Sequence, residues 1–178
     1  MKTLDTLIPD IYAVVSDKGG WDKVAQDHYL QLVGTTMWSR LGPSSSTYSP
    51  GLRMSNIGQK CERKLWYNLN ADVEGHPLPP NLYLRFLMGD MVEDLLLSLA
   101  MAAGHTVTGQ QDTIELYGIK GHRDAVIDGV NVDVKSASAT NFSKFKSGAL
   151  MTDDPYGYIW QLASYVKGSE DDPLVTDK

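Results

Sequence analysis

Apolar residues recur at helical spacing through the first hundred positions and then switch to a period of two. Residues 4–16 carry Leu4, Leu7, Ile11, Val14 and Val15, and residues 22–41 carry Val24, Leu30, Val33, Met37, Trp38 and Leu41. Two helical segments with a break at Gly19-Gly20 are therefore predicted. Residues 42–51, GPSSSTYSPG, read as a loop by composition. Ser55 then reads as the N-cap of a helix to about position 69, with Ile57, Cys61, Leu65 and Leu69 at every fourth place. After a second loop, ADVEGHPLPP, a long helix is expected over 81–103, closed by Gly104 as a C′ glycine.

Beyond Gly104 the stretches 111–117, 119–128 and 130–138 are short and rich in Val, Ile and Tyr, and Asp128-Gly129 separates the last two. That dipeptide is a strong hairpin signal, because a type I′ turn needs positive φ at both central residues. Helices resume over 141–148 and 156–167, and the acidic end GSEDDPLVTDK reads as a frayed tail. Helices, then an antiparallel meander, then helices make an α/β fold of the mixed α+β kind.

The hairpin register brings candidate chemistry into view. If Ile127 pairs with Val130, counting outward places Asp124 opposite Asp133. Val130, Val132 and Val134 then form a core face, while Asn131, Asp133 and Lys135 share the other. Two carboxylates about 5 Å apart across a ladder repel each other and call for a cation or a shared proton. A divalent metal is the economical answer, since Mg²⁺ and Mn²⁺ prefer carboxylate oxygens. The long helix offers a third acid, Glu93, whose neighbours three and four places away are Phe86, Gly89, Leu96, Leu97 and Ala100; Asp90 and Asp94 are adjacent alternatives that spacing does not separate from it. His122 would lie opposite Lys135 as a supporting partner. Gln161 and Tyr165, four apart, share a face of the last helix.

Composition sharpens this. The chain has 178 residues, 16 Lys+Arg against 22 Asp+Glu, and a net charge of −6, which by itself argues against binding nucleic acid through bulk positive charge. Six acids against two lysines in residues 151–178 supply −4 of that, so a basic surface elsewhere is compatible with the total. Residues 52–67 carry Arg53, Lys60, Arg63 and Lys64 beside Trp66 and Tyr67, opposed only by Glu62. Lys120, Arg123, Lys144 and Lys146 lie around the core, and basic residues with nearby aromatics suit a single-stranded end. The single cysteine, Cys61, rules out an intrachain disulfide and any four-cysteine cluster within one chain. The N-terminus is interrupted by Asp5, Pro9 and Asp10, and the densest apolar stretch, 95–103, is far short of the roughly 20 residues needed to span a bilayer. No membrane association and a cytoplasmic location are expected.

The ordered set Gly89-x-x-x-Glu93, Gly121-His122-Arg123-Asp124, Asp133-Val134-Lys135 and Gln161-x-x-x-Tyr165 resembles the PD-(D/E)XK nuclease superfamily. Within it, the chain is similar to the RecB-type branch of bacteriophage, CRISPR-adaptation and mitochondrial genome maintenance exonucleases. The stretch from Leu52 to Tyr67 resembles the segment that precedes the core in that branch. The likeness covers roughly residues 51–167 and departs in having Val92 where a histidine often stands. It also lacks the cysteines of an iron–sulfur cluster, and only a short segment follows Tyr165, as in a compact or a truncated variant. The resemblance implies a restriction-endonuclease-like core over 51–168 with a central mixed sheet, a helical extension over 1–50 and a flexible tail over 169–178. It implies Mg²⁺ or Mn²⁺ held by Glu93, Asp124, Asp133 and the Val134 carbonyl. Lys135 would orient water or stabilise the transition state, and Gln161 and Tyr165 would steady the lysine and the scissile nucleotide. The implied activity is exonucleolytic hydrolysis of DNA ends in phage or prokaryotic recombination, repair or degradation. A structure- or site-specific endonuclease and an inactive DNA-binding or assembly subunit are the alternatives, and beside DNA the resemblance leaves room for a homo-oligomer or a recombination or replication partner protein.

Overall fold

A computed structural model describes residues 2–16, 20–43, 50–70 and 79–177. A 3₁₀ turn leads into α1 (Leu7–Ser16), followed by α2 (Lys23–Leu41), α3 (Glu62–Leu69) and the long α4 (Pro80–Ala102). Five short strands follow: β1 (Val107–Thr108), β2 (Thr113–Leu116), β3 (Ile119–His122), β4 (Ala125–Ile127) and β5 (Val130–Val132). The helices α5 (Ala139–Lys146) and α6 (Tyr158–Gly168) complete the order. Gly19, residues 44–49 of the first predicted loop and residues 71–78 of the second lie outside the described residues.

The mixed α and β class matches the expectation, but the sheet differs from a single meander. The strand expected over 119–128 is cut at Arg123-Asp124: β3 pairs with β2 in a two-stranded hairpin, while β4 joins β1 and β5 in a second sheet of order β1-β4-β5. All the named strands pair antiparallel with one another, and the described residues contain no mixed sheet of named strands; a single isolated parallel bridge joins Arg53, which belongs to no strand, to Lys120 of β3. The two-residue strand β1 was not foreseen. The Asp128-Gly129 register holds, with Ile127 opposite Val130 and Ala125 opposite Val132. Both turn residues take positive φ, +51° and +87°. The Asp128 carboxylate accepts hydrogen bonds from His105 Nδ1 and the Thr106 amide, so the turn residue also ties the sheet to the end of α4.

Termination of α4 is set by Gly104 at φ +87°: its amide donates to the Met101 carbonyl and that of His105 to the Ala100 carbonyl, a Schellman closure. The face of α4 carrying Leu97 and Ala100 meets Ala125 and Ile127 of β4. Leu7, Ile11, Val107, Val132 and Val134 pack around this core. A second core joins Met54, Ile114 and Tyr165. The far side of β4–β5 is not a solvated face, because Val126 and Asn131 are buried there.

Three further expectations are corrected. No helix starts at Ser55: a 3₁₀ turn, Met54–Asn56, is followed by α3 only from Glu62. Gly58 lies so close to Gly157 that an added Cβ would come within 2.5 Å of its Cα, and the chain bends there to make that approach. The apolar stripe of α2 does not enter the core; Val24, Leu30, Met37, Trp38 and Leu41 are exposed. Its polar face packs on α4 instead, through His28 to Ser98, Thr36 to Asp94 and Arg40 to Asp90. Finally, residues 169–177 are not a frayed tail. Ser169 and Val175 are buried, and the amides of Thr176 and Asp177 donate to the Gly129 carbonyl. No helix among the described residues is long and apolar enough to cross a membrane.

Candidate functional site

Glu93, Asp124, Asp133 and Lys135 are gathered by three elements. Asp124 stands in the two-residue link between β3 and β4, one place beyond the last ladder pair. Its Oδ2 accepts the amide of Val134 at 2.6 Å. Asp133 follows directly on β5, with its side chain only 6% exposed and its carboxylate 2.6 and 2.7 Å from Lys135 Nζ. Glu93 projects from α4 and accepts a hydrogen bond from Gln111 Nε2 at 2.7 Å. Gly89, one turn earlier, lets α4 run close to the segment after Lys135: a Cβ there would sit 3.4 Å from Ser136 Oγ.

The electrostatics follow from burial of like charges. Burial, then the neighbouring Asp124 charge, push Glu93 up to about 7 against a single opposing bond from Gln111. Burial and Asp133 push Asp124 up to about 6, with the Val134 amide and Lys135 only partly offsetting them. Asp133 is raised by burial as well, with Lys135 working against that rise. The Lys135 ammonium thus offsets two of the three desolvated carboxylates, Asp124 and Asp133. The adjacent acids of α4 are engaged elsewhere: Asp90 pairs with Arg40, and Asp94 accepts the Thr36 hydroxyl. Of the three, Glu93 is the one raised by the Asp124 charge and left without a cation or hydroxyl partner from α2, whereas Asp90 acts on Asp124 from its pair with Arg40.

Other predicted residues are placed differently. His122, at the end of β3, pairs with Thr113 of β2 rather than lying opposite Lys135, and its side chain is exposed. Tyr165 is buried and donates to the His122 carbonyl at 2.7 Å, while Gln161 Nε2 donates to the Tyr165 hydroxyl. This chain of bonds anchors the end of β3. Lys135 meets another aromatic residue, Tyr158, with Nζ 5.6 Å from the ring centroid. Tyr158 and Gln111 carry no motif of their own, and only the folded neighbourhood identifies them. A cleft of about 380 Å³ between α2 and α4 also reaches Glu93, with Thr35, Ser39, Gln110 and Gln111 in its walls.

The basic candidates divide into surface and core. Lys60, Arg63 and Lys64 are exposed, and Trp66 and Tyr67 beside them are exposed too rather than packed into the core. Arg63 lies over the Tyr67 ring, 5.7 Å from its centroid. Arg53 is exposed and its amide donates to Asn56 Oδ1. Lys144 pairs with Asp153, and Lys146 is exposed in the last turn of α5. Arg123, by contrast, is 1% exposed and pairs with Asp112 at 2.9 Å and Asp172 at 2.7 Å. It is a structural cation, unavailable to a ligand.

An all-carboxylate donor set short of positive charge fits the chemistry of Mg²⁺ or Mn²⁺. Among the described residues no three His, Cys, Asp or Glu side chains are already drawn together as a metal-binding group. Asp124 is held by the Val134 amide, and Asp133 by Lys135. Comparisons of the chain with protein-family models, with curated proteins and with solved structures found no match.

Proposed function

We propose that this chain is a metal-dependent deoxyribonuclease of the PD-(D/E)XK type, hydrolysing phosphodiester bonds at DNA ends. The observation that carries the reading is the junction of Glu93, Asp124 and Asp133 from separate elements, with Lys135 held against Asp133 at 2.6 Å. The helix–strand–strand order of these residues is the order of the sequence resemblance, and the hairpin register supports it.

Glu93, Asp124 and Asp133 would hold the cation. When bound, Mg²⁺ or Mn²⁺ polarises a phosphoryl oxygen and makes hydroxide available near neutral pH. The chain's own groups supply the rest. The Lys135 ammonium, a point charge on a flexible stem, can shift from Asp133 toward a phosphate oxygen as negative charge grows on it. The Tyr158 ring beneath it limits the positions it takes. Gln111 fixes the Glu93 carboxylate, and the Val134 amide fixes that of Asp124. Tyr165 and Gln161 hold the strand end from which Asp124 departs.

The test is digestion of end-labelled linear and covalently closed circular DNA with Mg²⁺ or Mn²⁺. Loss of linear DNA alone is expected, and nicking of circles would reassign the chain as an endonuclease. Asp124→Asn and Lys135→Ala should each lower cleavage at least a hundredfold while leaving the melting temperature within a few degrees. Undiminished cleavage by either variant would sink the site assignment. The prior engagement of Asp124 and Asp133 favours one second reading, a DNA-binding subunit on the same fold that does not turn over. Retained DNA binding with no hydrolysis would identify it.

A further inference from the structure

Next to Lys135 lies an aromatic cluster of which the acid site uses only Tyr158. The rings of Phe145 on α5, Tyr156 in the loop before α6 and Tyr158 at the start of α6 are nearly parallel. Phe145 and Tyr158 are 5.9 Å apart at 23°, and Tyr156 and Tyr158 are 5.3 Å apart at 27°. Tyr158 is the middle member and the one that Lys135 approaches. Asp154 sets this arrangement, since its carboxylate accepts the amides of Gly157 and Ile159 and thereby fixes the turn that carries both tyrosines.

Simple packing between α5 and α6 accounts for Phe145 and Tyr158. It does not account for Tyr156, which stacks on Tyr158 and yet remains 56% exposed. An aromatic ring held by a partner on one side and open to solvent loses little entropy when a second flat group lies against it. The charge around the cluster limits what that group is. Lys135 lies at Tyr158, Lys144 helps line the shallow dent under Phe145 and Tyr156, and Lys146 is exposed on the same helix. Lys60 is close enough to Asp153, the partner of Lys144, to lower its pKa. Flat π surfaces beside cations at the reach of a phosphate backbone suit an unpaired nucleotide, with the base on the ring and the phosphate on the lysines.

We infer that Tyr156, backed by Tyr158 and Phe145, is a stacking platform for an unpaired base of a single-stranded DNA end, next to the phosphate that Lys135 faces. The inference rests on the nuclease reading for the role of Lys135, and it adds a substrate class, single-stranded rather than fully paired ends. A base in a closed duplex offers its faces only to its neighbours, whereas a free end can lay one base on Tyr156.

The experiment is equilibrium binding, in EDTA so that nothing is cleaved, of single-stranded oligonucleotides carrying 2-aminopurine at successive positions from one end. The full chain should quench the fluorophore at one or two end positions, since stacking on a tyrosine quenches it. Tyr156→Ala should abolish that quenching and weaken binding about five- to a hundredfold, the range set by loss of one base–aromatic stack. Tyr156→Trp should retain both. Binding of a blunt duplex should change less than twofold, and Tyr117→Ala, at the exposed tip of the β2–β3 hairpin, should match the wild type. If the wild-type chain cleaves DNA but Tyr156→Ala binds single strands and quenches as the wild type does, the platform is overturned and the nuclease reading stands. If quenching and its loss in Tyr156→Ala are seen without hydrolysis under Mg²⁺ or Mn²⁺, the platform stands and the nuclease reading falls. A wild-type chain that neither binds nor cleaves overturns both.

Discussion

At the scale of single residues, the raised carboxyls are the sharpest feature. Glu93, at about 7 where its ordinary value is 4.5, is protonated in the folded chain over a range where the unfolded chain has already released its proton. The unfolded state therefore binds fewer protons than the native state between roughly pH 4.5 and 7, and metal-free stability must fall as pH rises through that window. Asp124, at about 6 from 3.8, acts in the same direction. Because these groups are partly wetted, the combined loss should be about 1–2 kcal/mol rather than the full value implied by the shifts. In a chain of this size that amounts to a melting temperature a few degrees lower at pH 8 than at pH 5 in EDTA. Glu93→Gln should flatten this dependence and Mg²⁺ or Mn²⁺ should reverse it at pH 8 but not at pH 5. An equally steep decline in Glu93→Gln would show that the repulsion lies elsewhere. Asp128 and Asp172 work in another window. Burial raises both, but hydrogen bonds from His105 and Thr106 in one case, and from Leu174 and Arg123 in the other, leave them below the usual carboxylate range. Their stabilising contribution is lost only as pH falls through those lowered values.

At the scale of elements, what could be read from the chain was local and what could not depended on distant partners. The end of α4 at Gly104 and the Asp128-Gly129 register are decided by backbone conformation within a few residues, and both could be anticipated. The break between β3 and β4 could not. It exists because Arg123 turns inward to meet Asp112 and, 49 positions later in the chain, Asp172. That buried guanidinium also pins the C-terminal segment, whose acidic composition alone suggests a solvated tail. Helix α2 misleads for a related reason: its apolar stripe faces outward, and the polar residues His28, Thr36 and Arg40 make the contact with α4. Of the four proposed chemical residues, Asp124 and Asp133 follow one place beyond the last ladder pair, Ala125 with Val132, while His122 pairs with Thr113 and not with Lys135; choosing Glu93 over Asp90 and Asp94 required the positions of Arg40 and Thr36. Gly121 shows how tightly the second core holds the strand that ends near Asp124. A Cβ there would lie 2.8 Å from Met54 Cβ and 2.9 Å from Tyr165 Cε1. Both neighbours are buried, so Gly121→Ala should cost about 1–3 kcal/mol in urea denaturation. A cost below about 0.5 kcal/mol would mean that this packing is looser than the contacts indicate.

At the scale of the whole molecule, the question is how a chain with a net charge of −6 could bind a polyanion. Much of the negative charge is already committed within the fold. Asp172 neutralises Arg123, Asp112 shares it, Asp90 holds Arg40, and Glu93, Asp124 and Asp133 form the proposed metal site. Lys60, Arg63, Lys64 and Lys146 remain on the surface, while Lys144 is shared with Asp153. Counterion release depends on these local cations rather than on the total, because each phosphate neutralised frees its own condensed ions. Three or four such contacts on a single strand give a slope of log K against log salt of about −2 to −3. Replacing Lys60 or Lys64 with Ala should then reduce the steepness by a few tenths to one and weaken all sequences alike. Arg123→Met should instead leave the slope unchanged and lower stability, since its charge never faces solvent. A slope near zero for the wild-type chain would mean that no phosphate is held by these residues, and that the net charge describes the surface after all.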